Sequence, residues 1–288
     1  MHDPLIPATV QELLRMVEKY AGQYVLIAGG TDIMLKLPIQ IRPDIRLIDL
    51  SGIAQMRVIS ATNEEISIGA LNSMSQLSES RLLNRRAVSL AQAASRLGSW
   101  QIRSRATLGG NIINASPAAD TPVALAALNA KAVLLSPKGR RELAVEEIPL
   151  APNLSCLEPG EILTQFKLPL IQSSISAFAK TGSRSEVSIA RLNLAVSGQK
   201  KCDGSLDNPR VFLGTLGRAA INAPVAEECL RQKGLEDSEA FGLALADKIG
   251  EAIKGRSTLA YKQSAAMALA QDILVDLKSQ FERREVAS

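Results

Sequence analysis

Near the start of the chain the apolar positions switch from a helical period to a strand run, and the switch marks two elements. Val10, Leu13, Leu14 and Val17 recur at i, i+3, i+4 and i+7, with Thr9 and Glu12 spaced as a capping box. Residues 9–21 are therefore predicted to form an amphipathic helix that stops near Gly22. Residues 24–28 form an apolar run of strand length, Gly29-Gly30 breaks it, and 32–37 predicts one or two helical turns. A second strand is expected at 46–50, and a hairpin from 56–60 and 65–69 turned around Thr62-Asn63. A helix over 83–97 and a polar stretch, 98–105, lead into a second glycine junction, Thr107-Leu108-Gly109-Gly110-Asn111. Asp120-Thr121-Pro122 is built like a helix opening, with Asp120 or Thr121 as N-cap, ahead of an Ala/Leu-rich helix over 123–128. Residues 131–136 and 141–145 are expected to pair around 137–139.

A strand at 162–168 is closed by Pro169, and the polar stretch 172–176 suits a domain boundary near residue 172. Beyond it, 177–180, 192–199 and 210–216 predict strands, the last two joined by Asp203-Gly204, and 223–283 predicts three helices. The fold class is α+β, ending in a small antiparallel sheet backed by helices. No internal repeat interrupts this order.

Composition narrows the picture. At 288 residues the chain is longer than the ~100–200 residues of one domain, so two are expected. Hydrophobic residues make up 46% and aromatics 3%, so the core must come from Leu, Ile, Val and Ala. The most apolar long stretch, 115–135, is interrupted by Asp120, Asn129 and Lys131, and the first ten residues carry no secretory pattern. A cytoplasmic protein with no membrane span is expected. Cys156, Cys202 and Cys229 form neither a disulfide framework nor a metal-binding pair. The net charge of +4 comes from scattered clusters such as Arg85-Arg86 and Arg283-Arg284, which argues against nucleic acid but allows a bound anion or an acidic partner. The only histidine is His2, which disfavours Ser-His-Asp and Cys-His catalysis, histidine-held zinc and histidine-tethered flavin.

The chemistry-bearing positions are few. At Ala28-Gly29-Gly30-Thr31-Asp32 a strand delivers the chain to a helix, and glycines there let main-chain N–H groups approach an anion. Paired glycines also make simple turns. A second such junction at Gly109-Gly110-Asn111, followed by Asn114 and Asp120, suits a dinucleotide with a carboxylate for its hydroxyls, although Asp120 can equally be a helix cap. The GxGxxG fingerprint is missing, and 250–255 with Arg256-Ser257 mimics a phosphate loop but follows a helical stretch.

These segments resemble a known family. Leu26-Ile27-Ala28-Gly29-Gly30-Thr31-Asp32-Ile33, Gln101-Ile102-Arg103 and Thr107-Leu108-Gly109-Gly110-Asn111 look like the FAD subunit of molybdenum hydroxylases, the xanthine and carbon monoxide dehydrogenase type. The likeness continues through 114–122, Pro159-Gly160-Glu161-Ile162-Leu163, Lys180 with Arg184, and 256–262. It implies a non-covalent FAD whose diphosphate lies on 26–33 and 107–111, with Asp120 near the ribitol or ribose hydroxyls. Leu163 and Lys180 would lie near the flavin, although Lys180 on its own reads as a solvated surface lysine.

The fold implied is a two-subdomain FAD-binding fold of the vanillyl-alcohol-oxidase (PCMH-like) kind over 1–171, with subdomains 1–55 and 56–171, then a C-terminal domain over 172–288. No catalytic residue and no metal ligand is expected in this chain. Molybdopterin would sit in a large partner subunit and 2Fe-2S clusters in a small one, with electrons passing through FAD to NAD or another acceptor. Two departures matter. Leu97 stands where some xanthine dehydrogenases carry an aromatic over the flavin ring, and there is no cysteine-bearing insertion for an iron–sulfur cluster. The rival readings are a self-sufficient flavoenzyme on the same fold and a non-catalytic binding protein.

Overall fold

The computed structural model describes residues 3–35, 45–171, 174–183, 188–201 and 205–285. The boundary expected near 172, the Asp203-Gly204 turn, Cys202, Arg184 and the last two residues of the 32–37 helix lie outside the described residues.

Helix α1 (Val10–Lys19) is capped by Thr9, whose Oγ1 accepts from the Glu12 amide at 3.1 Å. The return bond of the expected capping box goes elsewhere: the Glu12 carboxylate accepts from the Ala8 amide at 2.8 Å. Leu13 and Val17 are buried on its inner face. Strands β1 (Tyr24–Ile27) and β2 (Arg46–Asp49) pair in parallel, in register from Tyr24 opposite Arg46 to Ile27 opposite Asp49. Leu5 extends this ribbon, donating to Leu47 O and accepting from the Asp49 amide, both at 2.8 Å.

The main sheet of this half has the order β3 (Ile59–Ala61), β4 (Glu65–Gly69), β9 (Ile162–Pro169), β5 (Lys131–Ser136), β6 (Gly139–Ala144), antiparallel throughout. Its latest strand in sequence lies at its centre. The expected hairpin arm at 56–60 is shorter, because Ala54–Arg57 coils into a 3-10 turn with Met56 buried. The reason is close packing: a Cβ on Gly69 would lie 2.2 Å from Met56 O, so this chain crosses directly over the glycine. A small hairpin, β7 (Pro149–Ala151) with β8 (Leu154–Ser155), lies beside this sheet in the chain and turns at Asn153, which has φ 60°.

Between β4 and β5 the chain forms six short helices: α2 (Met74–Glu79), α3 (Arg81–Arg86), α4 (Val88–Ser95), α5 (Trp100–Arg105), α6 (Leu108–Ile113) and α7 (Thr121–Ala127). The single helix expected over 83–97 is two, parted at Ala87, whose φ of −142° is not helical. Beyond the break the Ser89 amide donates to Ser176 Oγ at 3.1 Å, so a tertiary contact replaces the continuing helix. The stretch 98–105, read as polar lead-in, forms α5, capped by Ser99. No residue of α5 is buried, so it carries no apolar stripe to read.

The second sheet, β10 (Ser174–Gly182), β11 (Ala190–Lys200), β12 (Leu206–Gly214) and β13 (Ile221–Asn222), is antiparallel, and α8 (Pro224–Lys233), α9 (Ser238–Ala252) and α10 (Leu259–Glu285) follow it. Strand alternation gives it two apolar faces. Ile175, Ala177, Leu192, Leu194, Val211 and Leu213 join a core with these three helices. Phe178, Ala195 and Phe212 point the other way and complete the core of the first half. Full burial of a side chain such as Phe178 contributes roughly 1.5–3 kcal/mol.

Candidate functional site

The two glycine junctions meet across a cleft of about 520 Å³, within the ~300–1,000 Å³ usual for small-molecule sites. Leu26, Ala28, Gly29, Gly30, Thr31, Asp32 and Ile33 line one wall. Thr107, Gly109, Gly110 and Asn111 line the other, and Leu163 lies in the floor with Leu97. Ile27, Leu108, Asp120 and Lys180 do not line it; Leu108 is a fully buried core residue.

The first turn needs its glycines for different reasons. A Cβ on Gly29 would lie 2.0 Å from Arg105 O, so glycine lets this turn press against the end of α5. Gly30 has φ +75°, a left-handed conformation that side-chain-bearing residues rarely adopt. Among the described residues, the N–H groups of Gly29, Gly30 and Thr31 make no hydrogen bond to a protein acceptor. They are the amides left for a ligand.

The second junction differs from the expectation that both turns offer free amides. Leu108 N–H donates to Asn72 O at 3.0 Å, Gly109 N–H to Ala70 O at 2.8 Å and Gly110 N–H to Thr107 Oγ1 at 3.2 Å. What this wall offers is closeness and one side chain. A Cβ on Gly109 would lie 2.8 Å from Ala70 Cβ, so the helix start is pressed onto the sheet. Asn111 Oδ1 accepts from the Thr121 hydroxyl at 2.6 Å, which leaves the Asn111 amide hydrogens for a ligand in the cleft.

Leu163 reaches the floor through a β-bulge. The register against β5 jumps from Val133 opposite Gln165 to Leu134 opposite Leu163, so Thr164 is the extra residue. Its hydroxyl donates to Val133 O at 3.2 Å and its carbonyl accepts from the Ala70 amide at 2.9 Å. Such an insertion re-aims the neighbouring side chain.

Asp120 occupies the N-cap position of α7, but its carboxylate makes no capping bond. It accepts from Lys180 Nζ at 2.6 Å and from Asn193 Nδ2 at 2.8 Å. Lys180 is no surface lysine: its side chain is 8% exposed, and Nζ also donates to Arg96 O at 2.8 Å and Ser188 O at 3.2 Å. Burial pushes the Asp120 carboxyl above the usual carboxylate range, and the neighbouring Lys180 ammonium opposes that. The pair touches the site through its neighbours, since Thr121 holds Asn111 and Arg96 precedes Leu97.

Glu161 is a lining residue that the sequence reading quoted in a motif but did not assign. Arg141 grips it twice, Nε to Oε1 at 2.6 Å and Nη2 to Oε2 at 2.7 Å, and the Glu158 amide adds a third bond at 2.8 Å. The Arg141 bond holds the Glu161 carboxyl below its ordinary value. Its spacing after Pro159-Gly160 was the available signal.

A wider cleft, about 750 Å³, opens on the far side of α7. Its charged side chains are already engaged: Arg210 with Ala126 O and Glu146, Arg231 with Glu228, and Glu227 with the Val211 amide and Asn222. We read it as a seam between the two halves. Among the described residues no cluster of three or more His, Cys, Asp or Glu could hold a metal, and no helix is long and apolar enough to cross a membrane.

Residues 3–171 match the family described as the FAD binding domain in molybdopterin dehydrogenase, and the chain belongs to that family. It is 28% identical over 284 residues to the nicotinate dehydrogenase FAD-subunit of Eubacterium barkeri, covering 96% of each chain. To the xanthine dehydrogenase FAD-binding subunit of Escherichia coli O157:H7 it is 29% identical over 206 residues, 70% of each. A solved carbon monoxide dehydrogenase from Hydrogenophaga pseudoflava superposes with a TM-score of 0.83 at 25% identity, over 96% of this chain and 97% of that one. The α+β FAD-binding fold is therefore that of the carbon monoxide dehydrogenase medium chain, and the protein is an FAD-binding oxidoreductase subunit of the molybdenum hydroxylase family.

The cleft fits that cofactor: an apolar floor suits a flavin ring, and a turn with unclaimed amides where a Cβ cannot stand suits a diphosphate.

Proposed function

We propose that this chain is the electron-transfer component of a complex with a large molybdopterin subunit and a small 2Fe-2S subunit, passing electrons through FAD to NAD or another acceptor. The supporting relatives are named as FAD-subunits and medium chains, one component each of a larger enzyme. The observation that carries the reading is the Gly29–Thr31 turn, which lines an apolar-floored cleft and whose amides, among the described residues, donate to no protein acceptor. FAD, when bound, supplies a centre that trades electrons between donors and acceptors of different kinds.

The chain's own residues hold it. The amides of Gly29, Gly30 and Thr31 donate to the diphosphate, the Asn111 amide donates to an adjacent hydroxyl or phosphate oxygen, and Leu97 and Leu163 exclude water from the ring. Leu26, Ala28, Asp32, Ile33, Thr107, Gly109 and Gly110 shape the walls, with Ile27 and Leu108 anchoring them from behind. Asp120 and Lys180 act as positioning residues. A cytoplasmic setting belongs to the same proposal, supported by the free thiols of Cys156 and Cys229.

The test is flavin content and turnover of the purified chain. About one FAD per chain, released intact by acid, is expected, with no oxidation of purines, aldehydes or N-heterocycles by the chain alone. Steady oxidation by the lone chain would favour a self-sufficient flavoenzyme; colourless protein that takes up no added FAD would sink the reading.

A further inference from the structure

Residues 256–262 share the family likeness, yet none of them lines the cleft, and the flavin reading gives them no task. Residues 253–258 link α9 to α10, turning at Gly255 with φ +81°, and Lys262 follows in the first turn of α10. Lys262 is only 8% exposed. Its Nζ donates to Thr215 O at 2.6 Å and to Thr215 Oγ1 at 3.0 Å, two acceptors of one neutral residue. The Thr215 hydroxyl in turn donates to Arg191 O at 2.7 Å. The Arg191 guanidinium stands over the Tyr261 ring, 5.6 Å from its centre, and the Tyr261 hydroxyl meets Thr181 Oγ1 at 2.7 Å. Thr181, Arg191 and Thr215 share the end of the second sheet at which Lys180 and Asn193 hold Asp120.

Arg256 is exposed, and among the described residues its guanidinium has no hydrogen-bonding partner. It lies close enough to act on Lys262: burial pulls the Lys262 ammonium below its ordinary lysine value, the Arg256 charge adds to that, and no carboxylate counters it. Among the described residues no carboxylate pairs with Arg191, Arg256 or Lys262. A buried ammonium beside a guanidinium, without an acid, opposes folding on its own and is relieved when an anion arrives. Stacking on Tyr261 holds the plane of Arg191 and leaves its N–H edge for an acceptor. Forked guanidinium groups match phosphate oxygens in geometry as well as charge, and two forks with an ammonium suit a multiply charged phosphate. We propose that Arg191, Arg256 and Lys262 form a second anion-binding site, outside the flavin cleft, for the phosphate group of a nucleotide or other phosphorylated small molecule. The site is independent of what fills the cleft.

The test is equilibrium dialysis of the purified full chain against sodium pyrophosphate and, separately, ADP. Wild type should bind pyrophosphate with a Kd of about 1 mM or tighter at about 0.02 M salt, and about fivefold more weakly or worse at about 0.2 M. Arg256→Gln is the first variant, since that side chain holds nothing in the fold. It should weaken both probes about fivefold or more, with flavin content and urea unfolding unchanged. Arg191→Gln should act in the same direction, and Lys262→Met should lose binding while disturbing Thr215 as well. ADP held more tightly than pyrophosphate would make the occupant a nucleotide; equal affinity would make it the phosphate group alone. Neither probe bound by wild type up to about 10 mM overturns the proposal. So does Arg256→Gln affinity within about twofold of wild type, which would leave Lys262 only the task of pinning Thr215.

Discussion

Replacing Lys180 by Met tests whether the buried pair behind the cleft is a strut. Lys180 and Asp120 side chains are 8% and 6% exposed, so solvent screens the pair little. The change removes three bonds from Nζ and leaves the Asp120 carboxylate with Asn193 alone. Stranding one charge of a buried pair costs about 3–5 kcal/mol. Asp120→Asn should be milder, and the double variant should recover about 1–3 kcal/mol relative to the sum, since no lone charge remains. Urea unfolding of the flavin-free chain measures all three. The pH dependence has a definite sign. Without Lys180 the Asp120 carboxyl loses an influence that lowers it, so its folded value rises further above the unfolded one. Stability from that protonation is full below the unfolded value of about 3.9 and is lost as pH rises through the folded value. The Lys180→Met deficit should therefore be larger at about pH 8 than at about pH 5. A deficit under about 1 kcal/mol, strict additivity, or a deficit that shrinks with rising pH would refute the strut.

Gly29→Val should abolish flavin retention and lower stability by about 1–3 kcal/mol, because even its Cβ would lie 2.0 Å from Arg105 O. Gly110→Ala should be milder, since its Cβ would meet only the Thr107 hydroxyl at 2.9 Å, and loss of that helix cap costs about 1 kcal/mol. Full flavin occupancy in both would make the turns irrelevant to the site. Glu161→Gln should loosen the floor and, in wild type, the Glu161 contribution is present above about pH 4.3 and lost as pH falls through its lowered value. A wild-type acid unfolding profile unchanged by Glu161→Gln contradicts this. Trp100, the only tryptophan, sits on the helix whose Ile102 lines the cleft, so FAD should quench indole emission as it binds. Uptake of FAD with no quenching would place the cofactor elsewhere.

What could be read in the sequence was local. The period of α1, the strand runs that became β1, β2 and β4, and both glycine junctions follow from neighbours in the chain, and the structure brings the two junctions face to face. What could not be read depends on distant partners. Nothing near 162–169 says that this strand lies between β4 and β5, or that Thr164 bulges to aim Leu163 at the cleft. The break at Ala87 answers to Ser176, far along the chain. Helix α5 buries no residue and so shows no pattern. Asp120 has the sequence of a cap, yet Lys180 and Asn193 outcompete the helix amides for its oxygens. The same pairing hides Lys180 from solvent, which its composition alone would not suggest.

Helix α7 explains why residues beyond the family match at 171 bear on a cleft they do not line. At its start Asp120 is gripped by Lys180 and Asn193, and at its end Ser197 donates to Ala127 O at 2.6 Å and Arg210 to Ala126 O at 3.0 Å. Along its side, a Cβ on Gly214 would lie 2.6 Å from Val123, so the helix is set flush against β12. All five fixing residues belong to the second sheet. Thr121, in the first turn of the helix they fix, orients Asn111 in the cleft wall. Meanwhile the Lys180 bond to Arg96 O fixes the segment that carries Leu97. The two halves thus share one piece of positioning machinery: the first provides the turns and the floor, and the second holds the helix and the segment that set their spacing.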